Sequence, residues 1–392
     1  MFNFNLTSEI QADIDRFAEV ARRLDVVSTL PRTWSGRVRR DLQAEAIGAS
    51  VALEGVNVTV DEVRRILAGD KPREVAQEDA DLVRGYREAM QFVLSRADDA
   101  AFVWNAEIFR SVHRDVMAQS WSSRAGLYRE RQVWLTNADS GKQVFMPPPV
   151  EDVPMLVDEL ATWLEGVGED ASPMVRAALA HVWLAAVHPF QDGNGRTARI
   201  IASLVMYRAG LRLPQFTSLE EWWGAHPAEY YSAFECLGSN WDAKTDVTPF
   251  VATHVRAQRM QADALSLRQA TERHLWAALE DIVEDGLGMD IRAANALWEA
   301  FFGREVTNRY YRGIADIGQV TASHDLKQLQ TSGLLGVQGG GQNTSYVGTL
   351  ELVRRVVDVL RLPIDASGSG PLDVDLRNST IAALAAKVHG GI

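Results

Sequence analysis

Apolar positions recur at three- and four-residue intervals along most of this chain, so the elements they predict are helices. The pattern places helices over 9–24, 41–58, 59–68, 78–96, 104–118, 150–166, 173–187, 200–207 and 219–237, with one or two longer helices over 247–279. Two stretches depart from it. Residues 132–136 and 144–146 read as short strands about a turn at 137–142, and Pro147-Pro148-Pro149 ends the second. Beyond 290 the rhythm shortens. Helices over 308–315 and 321–332 flank a turn containing Gly318, and strands over 334–337 and 345–347 follow around Gly339 to Gly341. A helix over 350–362, a linker over 365–371 and a short helix over 380–388 complete the chain. The fold class this predicts is mainly α.

One junction between two apolar helical runs carries an unusual concentration of chemistry: His188-Pro189-Phe190-Gln191-Asp192-Gly193-Asn194-Gly195-Arg196-Thr197-Ala198-Arg199. Pro189 removes a backbone donor and glycines flank Asn194, so neither helix continues through the junction. A helix ends near His188, a tight loop follows, and a second helix begins around Asn194. The loop's N–H groups then lie at a helix N-terminus, a ready anion site. Arg196 and Arg199, three apart, can both reach phosphates lying over that end.

This stretch resembles the signature of the Fic family, His-Pro-Phe-x-(Asp/Glu)-Gly-Asn-Gly-Arg-x-x-Arg, at every fixed position. The resemblance implies a Fic-type helical bundle with a β-hairpin flap, an enzyme transferring AMP from ATP onto a protein hydroxyl (Ser, Thr or Tyr). Such a transfer needs a base for the attacking hydroxyl and charge stabilisation on the phosphates. His188 is the only loop residue with a neutral-range pKa and is the natural base. Asp192 suits Mg²⁺. Gly193, Asn194 and Gly195 form an anion cradle, with Asn194 and His188 the catalytic pair. Arg196, Thr197 and Arg199 complete the ATP contacts, and Phe190 anchors the loop in the core.

A second stretch gains meaning beside the first. Ser50 and Glu54 are four apart and share a helix face, and Gly55 releases the backbone after them. Alone, a solvent-facing glutamate is the plainer reading. The stretch resembles the family's inhibitory motif, (Ser/Thr)-x-x-x-Glu-(Gly/Asn), which implies that Glu54 pairs with Arg199 and denies it to the terminal phosphate of ATP. An alternative within the family is removal of AMP, with Glu54 positioning a water. The resemblance also makes the strand pair a flap whose residues Val144, Phe145 and Met146 offer an edge to an extended target segment. It makes Tyr230 and Tyr231 candidates for enclosing adenine, although His226-Pro227 stands where many members carry Asn-Arg; both tyrosines also read as core. His113 reads as a packed helix residue, with a ligand role the lesser alternative. A metal-hydrolase site from His181, His188 and Asp192 lacks a third placed histidine.

The segment after 290 resembles the winged helix-turn-helix found in many bacterial Fic proteins. Its second helix carries only Lys327 and His324 as basic groups, set against Asp325, so charge does not favour DNA and docking or dimerisation is at least as consistent. A transcriptional regulator acting through this segment is the rival from another class. The expected organisation is an N-terminal inhibitory region over 1–100, a catalytic core over 101–250, connecting helices over 251–289, the winged segment over 290–362 and a tail over 363–392.

Composition narrows the partners. With 392 residues, 46% hydrophobic and 23% charged, the chain can bury a full core. A net charge of −12 argues against nonspecific nucleic-acid or acidic-membrane binding. A single cysteine, Cys236, cannot form an intrachain disulfide. No signal peptide or membrane-spanning run is apparent, so a cytoplasmic protein, forming a homodimer and acting on a protein substrate or on itself, is the expectation.

Overall fold

A computed structural model describes residues 1–25, 44–67, 69, 72, 74–118, 124–136, 141–167, 170–211, 219–341 and 344–390. The chain divides into two compact units, Met1–Asp263 and Ala264–Ile392. The first contains α1 (Ser8–Asp25), a helical stretch over 44–52 (α2), α3 (Val60–Leu67), α4 (Gln77–Ala97) and α5 (Ala106–Val116). A two-stranded hairpin follows, β1 (Leu135–Thr136) and β2 (Gln143–Phe145), then α6 (Val153–Thr162), α7 (Pro173–Val187) and α8 (Asn194–Arg208). Two short helices, α9 (Glu220–Ala225) and α10 (Pro227–Ser232), precede the 40-residue α11 (Thr248–Leu287), within which the unit boundary falls.

The antiparallel pair α7 and α8 forms the centre of this unit, with α4, α5 and α6 packed around it. Both helices are buried on almost every face, which their sequences require. Ala-rich α7 carries Val175, Leu179, Val182, Trp183 and Val187, all at most 2% exposed. Pro173 sits in its first turn, where a missing N–H costs nothing. At α3 the Thr59–Glu62 capping box closes in both directions. Thr59 N–H donates to the Glu62 carboxylate at 2.8 Å, and Glu62 N–H donates to Thr59 Oγ1 at 3.3 Å.

The second unit has its own core, built from Leu297, Phe301, Tyr311, Leu326, Leu329, Leu352 and Val356 among others. Helices α12 (Ala294–Phe301), α13 (Asn308–Ala315) and α14 (Gln319–Thr331) lead into an antiparallel pair, β3 (Leu335–Gln338) and β4 (Ser345–Gly348). Helices α15 (Leu350–Leu360) and α16 (Val374–His389) follow. Asp325 differs from its reading in the sequence. It is buried, takes two hydrogen bonds from Arg292 at 2.9 and 3.2 Å, and accepts the Tyr311 hydroxyl at 3.0 Å. Its Oδ1 also lies 3.8 Å from His324 Nδ1, so it stays set against that basic group while its hydrogen bonds come from Arg292 and Tyr311.

Among the described residues no helix is long and apolar enough to cross a membrane.

Candidate active site

The loop between α7 and α8 is held in one shape from both ends. His188 caps α7 in the left-handed region, at φ 50° and ψ 59°, an uncommon conformation for a residue with a Cβ. Its carbonyl accepts Arg129 Nε at 2.9 Å, and Arg129 N–H donates to the Pro189 carbonyl at 2.9 Å. The same buried guanidinium donates to the Pro148 carbonyl at 2.6 Å, tying the loop to the base of the hairpin. Asn194 closes the middle. Its Oδ1 accepts Phe190 N–H at 2.9 Å and its Nδ2 donates to the Phe190 carbonyl at 3.0 Å. The carboxamide thus clasps the Phe190 peptide from both sides, which places Asn194 as the loop's internal staple.

His113 holds the far end. Its ring stacks on Phe190 at 3.7 Å with planes 3° apart. Gly126 N–H donates to Nδ1 at 2.8 Å, so Nε2 carries the hydrogen and donates to the Asp192 carbonyl at 2.9 Å. Burial pushes this imidazole down to about 4, consistent with a neutral ring. Gly193 beside it has φ 73°, and a Cβ there would stand 2.7 Å from Met117 Sδ. Only glycine fits.

The His188 side chain is half-buried. Burial lowers its pKa to about 4, with the Ala185 carbonyl acting the other way. That carbonyl lies 3.3 Å from Nδ1 and can only accept, so the proton sits on Nδ1 and the Nε2 lone pair is free to take one.

Two arginines of α8 lie at the loop in different states. Arg196 is 3% exposed, and among the described residues its ion-pair contact is Nη2 to Asp192 Oδ1 at 3.5 Å. Its Nε and Nη1 are buried with no partner among the described residues, as is Thr197 Oγ1. Such donors are costly to bury unless something accepts from them. Arg199, by contrast, is enclosed. Nη2 donates to Glu54 Oε1 at 2.9 Å and to the Ser50 carbonyl at 3.1 Å, Nε to Ser50 Oγ at 3.2 Å, and Nη1 to Tyr230 Oη at 3.1 Å. Burial opposes its charge, yet Tyr230, Glu54, Tyr86 and Glu220 together raise its pKa.

Glu54 reaches this point because α2 tightens into a turn, with Glu54 N–H donating to the Val51 carbonyl at 3.0 Å and Gly55 at φ 83°. Its carboxylate lies against Gly195, where a Cβ would meet Glu54 Oε1 at 2.7 Å. The carboxylate therefore occupies the N-terminal turn of α8, the position favoured by an anion.

The remaining sequence candidates are placed as follows. Tyr230 is 4% exposed with its hydroxyl between Arg199 and His181, so it faces the arginine and not an open base pocket. Tyr231 is 56% exposed and donates to the Leu53 carbonyl at 2.6 Å. Val144 is exposed and Phe145 buried. Met146 has no free edge, because its N–H donates to the Ser239 carbonyl and its carbonyl accepts Trp241 N–H, both at 2.9 Å. His181 lies in the core, away from any ligand set with His188 and Asp192; its partners are Tyr230 and His254. Sequence reasoning missed Arg129 altogether and read His113 as a packed helix residue, with a ligand role the lesser alternative, without its hydrogen bonds to the loop. Contacts across 59 and 79 residues leave no local pattern that would have found either.

Residues 104–206 match the sequence model of the Fic/DOC family. Over 222 residues the chain is 30% identical to protein adenylyltransferase fic-1 of Caenorhabditis elegans, covering 55% of this chain and 39% of that protein. Over 129 residues it is 33% identical to protein adenylyltransferase Fic of Nematostella vectensis, covering 33% of this chain and 29% of that protein. The chain thus spans about two fifths or less of the length of these relatives. Among solved structures, a Fic family protein from Desulfovibrio desulfuricans G20 superposes with a TM-score of 0.59 at 21% identity, covering 88% of this chain and 97% of that one. Residues 134–508 of C. elegans Fic-1 superpose with a TM-score of 0.51 at 25% identity, covering 66% and 72%. The fold is the mainly α Fic-type bundle with small antiparallel hairpins.

Proposed function

We propose that this chain transfers AMP from ATP to a hydroxyl of a protein, and that Glu54 restrains the transfer by holding Arg199. The observation that carries this reading is the contrast between the two arginines. Arg196 presents buried donors without a partner among the described residues at the N-terminus of α8, while Arg199 beside it is engaged by a carboxylate lying where a phosphate would lie.

In the transfer, Nε2 of His188 takes the proton of the acceptor hydroxyl as its oxygen attacks the α-phosphorus. The bond to the β-phosphate oxygen breaks and pyrophosphate leaves, so AMP remains on the protein through a phosphodiester. Arg196 and, once Glu54 withdraws, Arg199 stabilise the charge on the departing phosphates. The clasp of Asn194 and the contacts of His113 and Arg129 keep the loop from rearranging as that charge develops. Among the described residues no cluster of three acidic, histidine or cysteine side chains could hold a metal alone. A single carboxylate does fit Mg²⁺, which retains waters and takes further ligands from phosphates, and Asp192, 62% exposed at the loop, would hold it. When bound, Mg²⁺ supplies Lewis-acid neutralisation of phosphate charge.

The test is transfer of label from α-³²P-ATP to protein. Glu54→Gly should label more than wild type, and Glu54→Gly with His188→Ala should not label. Equal or weaker labelling by Glu54→Gly would remove the restraint from this reading, and undiminished labelling by the double variant would remove His188 as the base.

A further inference from the structure

Behind Arg199 lies a buried polar file that the transfer chemistry does not use. Tyr230 Oη stands 3.1 Å from Arg199 Nη1 and 3.2 Å from His181 Nε2. His181 Nδ1 stands 3.2 Å from His254 Nε2. All three side chains are at most 4% exposed. The file borders a cavity of about 10 Å³, lined among others by Arg199, His181, His254, Gln258 and Trp223. His254 Nδ1, Gln258 Oε1 and Trp223 Nε1 have no hydrogen-bond partner among the described residues. A cavity of that size holds about one water.

Donor and acceptor chemistry gives the file one direction. A guanidinium only donates, so the Tyr230 oxygen accepts from Arg199. Of the two partners that Tyr230 Oη has among the described residues, only His181 Nε2 can take the hydroxyl hydrogen, and it therefore accepts. His181 therefore carries its hydrogen on Nδ1 and donates to His254 Nε2, leaving the His254 hydrogen on Nδ1 at the cavity, where Gln258 Oε1 is an acceptor. Both rings are neutral in this arrangement, in keeping with burial, which lowers His181 well below its ordinary range and His254 to about 3. Every bond runs the same way, a pattern in which each member polarises the next.

The two halves of the Arg199 cage differ in origin. Ser50 comes from α2 and Glu54 from the turn that ends it, so both leave together if that segment withdraws. Tyr230, His181 and His254 come from α10, α7 and α11, so their contact does not depend on α2. We propose that Tyr230, His181 and His254 form a one-way hydrogen-bond chain that keeps the Arg199 guanidinium aimed at the polyphosphate end of the nucleotide after Glu54 has gone, which makes His181 and His254 positioning residues. This rests on the nucleotide-transfer reading of the site.

The test measures binding of ATP and of AMP by calorimetry to the full chain carrying Glu54→Gly, alone and combined with His181→Phe or Tyr230→Phe. AMP lacks the β- and γ-phosphates that Arg199 would hold. Each added substitution should weaken ATP binding about tenfold, the order of one charge-assisted hydrogen bond, and change AMP binding less than about twofold. His181→Gln, which can both accept and donate, should restore much of the ATP affinity. Parallel losses for ATP and AMP, or no loss for either, would overturn the chain's role. Should His181→Phe fail to fold, Tyr230→Phe decides alone, since it removes one oxygen and keeps the ring. A Glu54→Gly parent that binds ATP no better than AMP would overturn the transfer reading and the chain's role with it.

Discussion

The Glu54 carboxylate and the Arg199 guanidinium meet at 2.9 Å across 145 residues of chain, with the arginine side chain 2% exposed and the glutamate 26% exposed. The pair is asymmetric: Arg199 has further partners in Ser50 and Tyr230, whereas Arg199 is the ion-pair partner found for Glu54. Removing the charge of Glu54 while keeping its shape should therefore release Arg199 without unseating it. Glu54→Gln is expected to raise labelling from ATP roughly tenfold, corresponding to about 1.4 kcal/mol of lost competition. Because a buried charge loses a partner, its melting temperature should also fall by a few degrees. Labelling assays and thermal melts on the same preparation check both.

A milder release is expected at Tyr231. Its exposed hydroxyl donates to the Leu53 carbonyl, one residue before Glu54, and holds the end of α2 down. Tyr231→Phe removes that bond, a contribution of about 0.5–1 kcal/mol, and should raise labelling some two- to fivefold while leaving the Arg199 contacts in place. A rate indistinguishable from wild type would show that the end of α2 is held by other contacts.

His113→Phe separates stacking from hydrogen bonding. The substituted ring can still stack on Phe190, but Gly126 N–H and the Asp192 carbonyl lose their partner. Two orphaned backbone groups at a buried position should cost about 2–4 kcal/mol in urea denaturation. In the Glu54→Gly background, transfer should fall more than nucleotide binding, because the loop and not the arginines is disturbed.

Acid should weaken the first unit before its carboxylates protonate. Burial depresses His113 and His188 to about 4, His254 to about 3, and His181 well below its ordinary value. Since each folded value lies below the unfolded value of 6.5, the unfolded chain binds protons first as pH falls. Stability is thus fully present above pH 6.5 and lost progressively toward pH 4. Urea midpoints at pH 7, 6 and 5 should decline in that order, and a flat profile would contradict the neutral, buried state of these rings.

Much of the loop was legible because its chemistry is local. Pro189, Gly193 and the flanking apolar runs fix where α7 ends and α8 begins, and the helix bounds in the structure fall where those residues place them. Helix α4 was equally readable from its periodicity, and α13 keeps the bounds read for it. What the sequence left out is tertiary. Asp325 reads as a surface charge until Arg292 is folded over it, and Met146 reads as a free strand edge until 239–241 pairs with it. Tyr230 and Tyr231 are adjacent in sequence yet divide between core and surface, because successive helix positions point about 100° apart. Arg129 gives no local signal at all, since each of its acceptors is a backbone carbonyl, a group every residue carries.

That arginine has a mechanical consequence. One buried guanidinium grips the carbonyl of His188 and the carbonyl of Pro148 at once, so the hairpin base and the His188 backbone form a single bracket. Under the proposed transfer, a peptide laid along such a bracket would have no hinge between its resting place and His188. The length of its hydroxyl-bearing side chain, set against that span, would then act as a gauge of which residue can be reached.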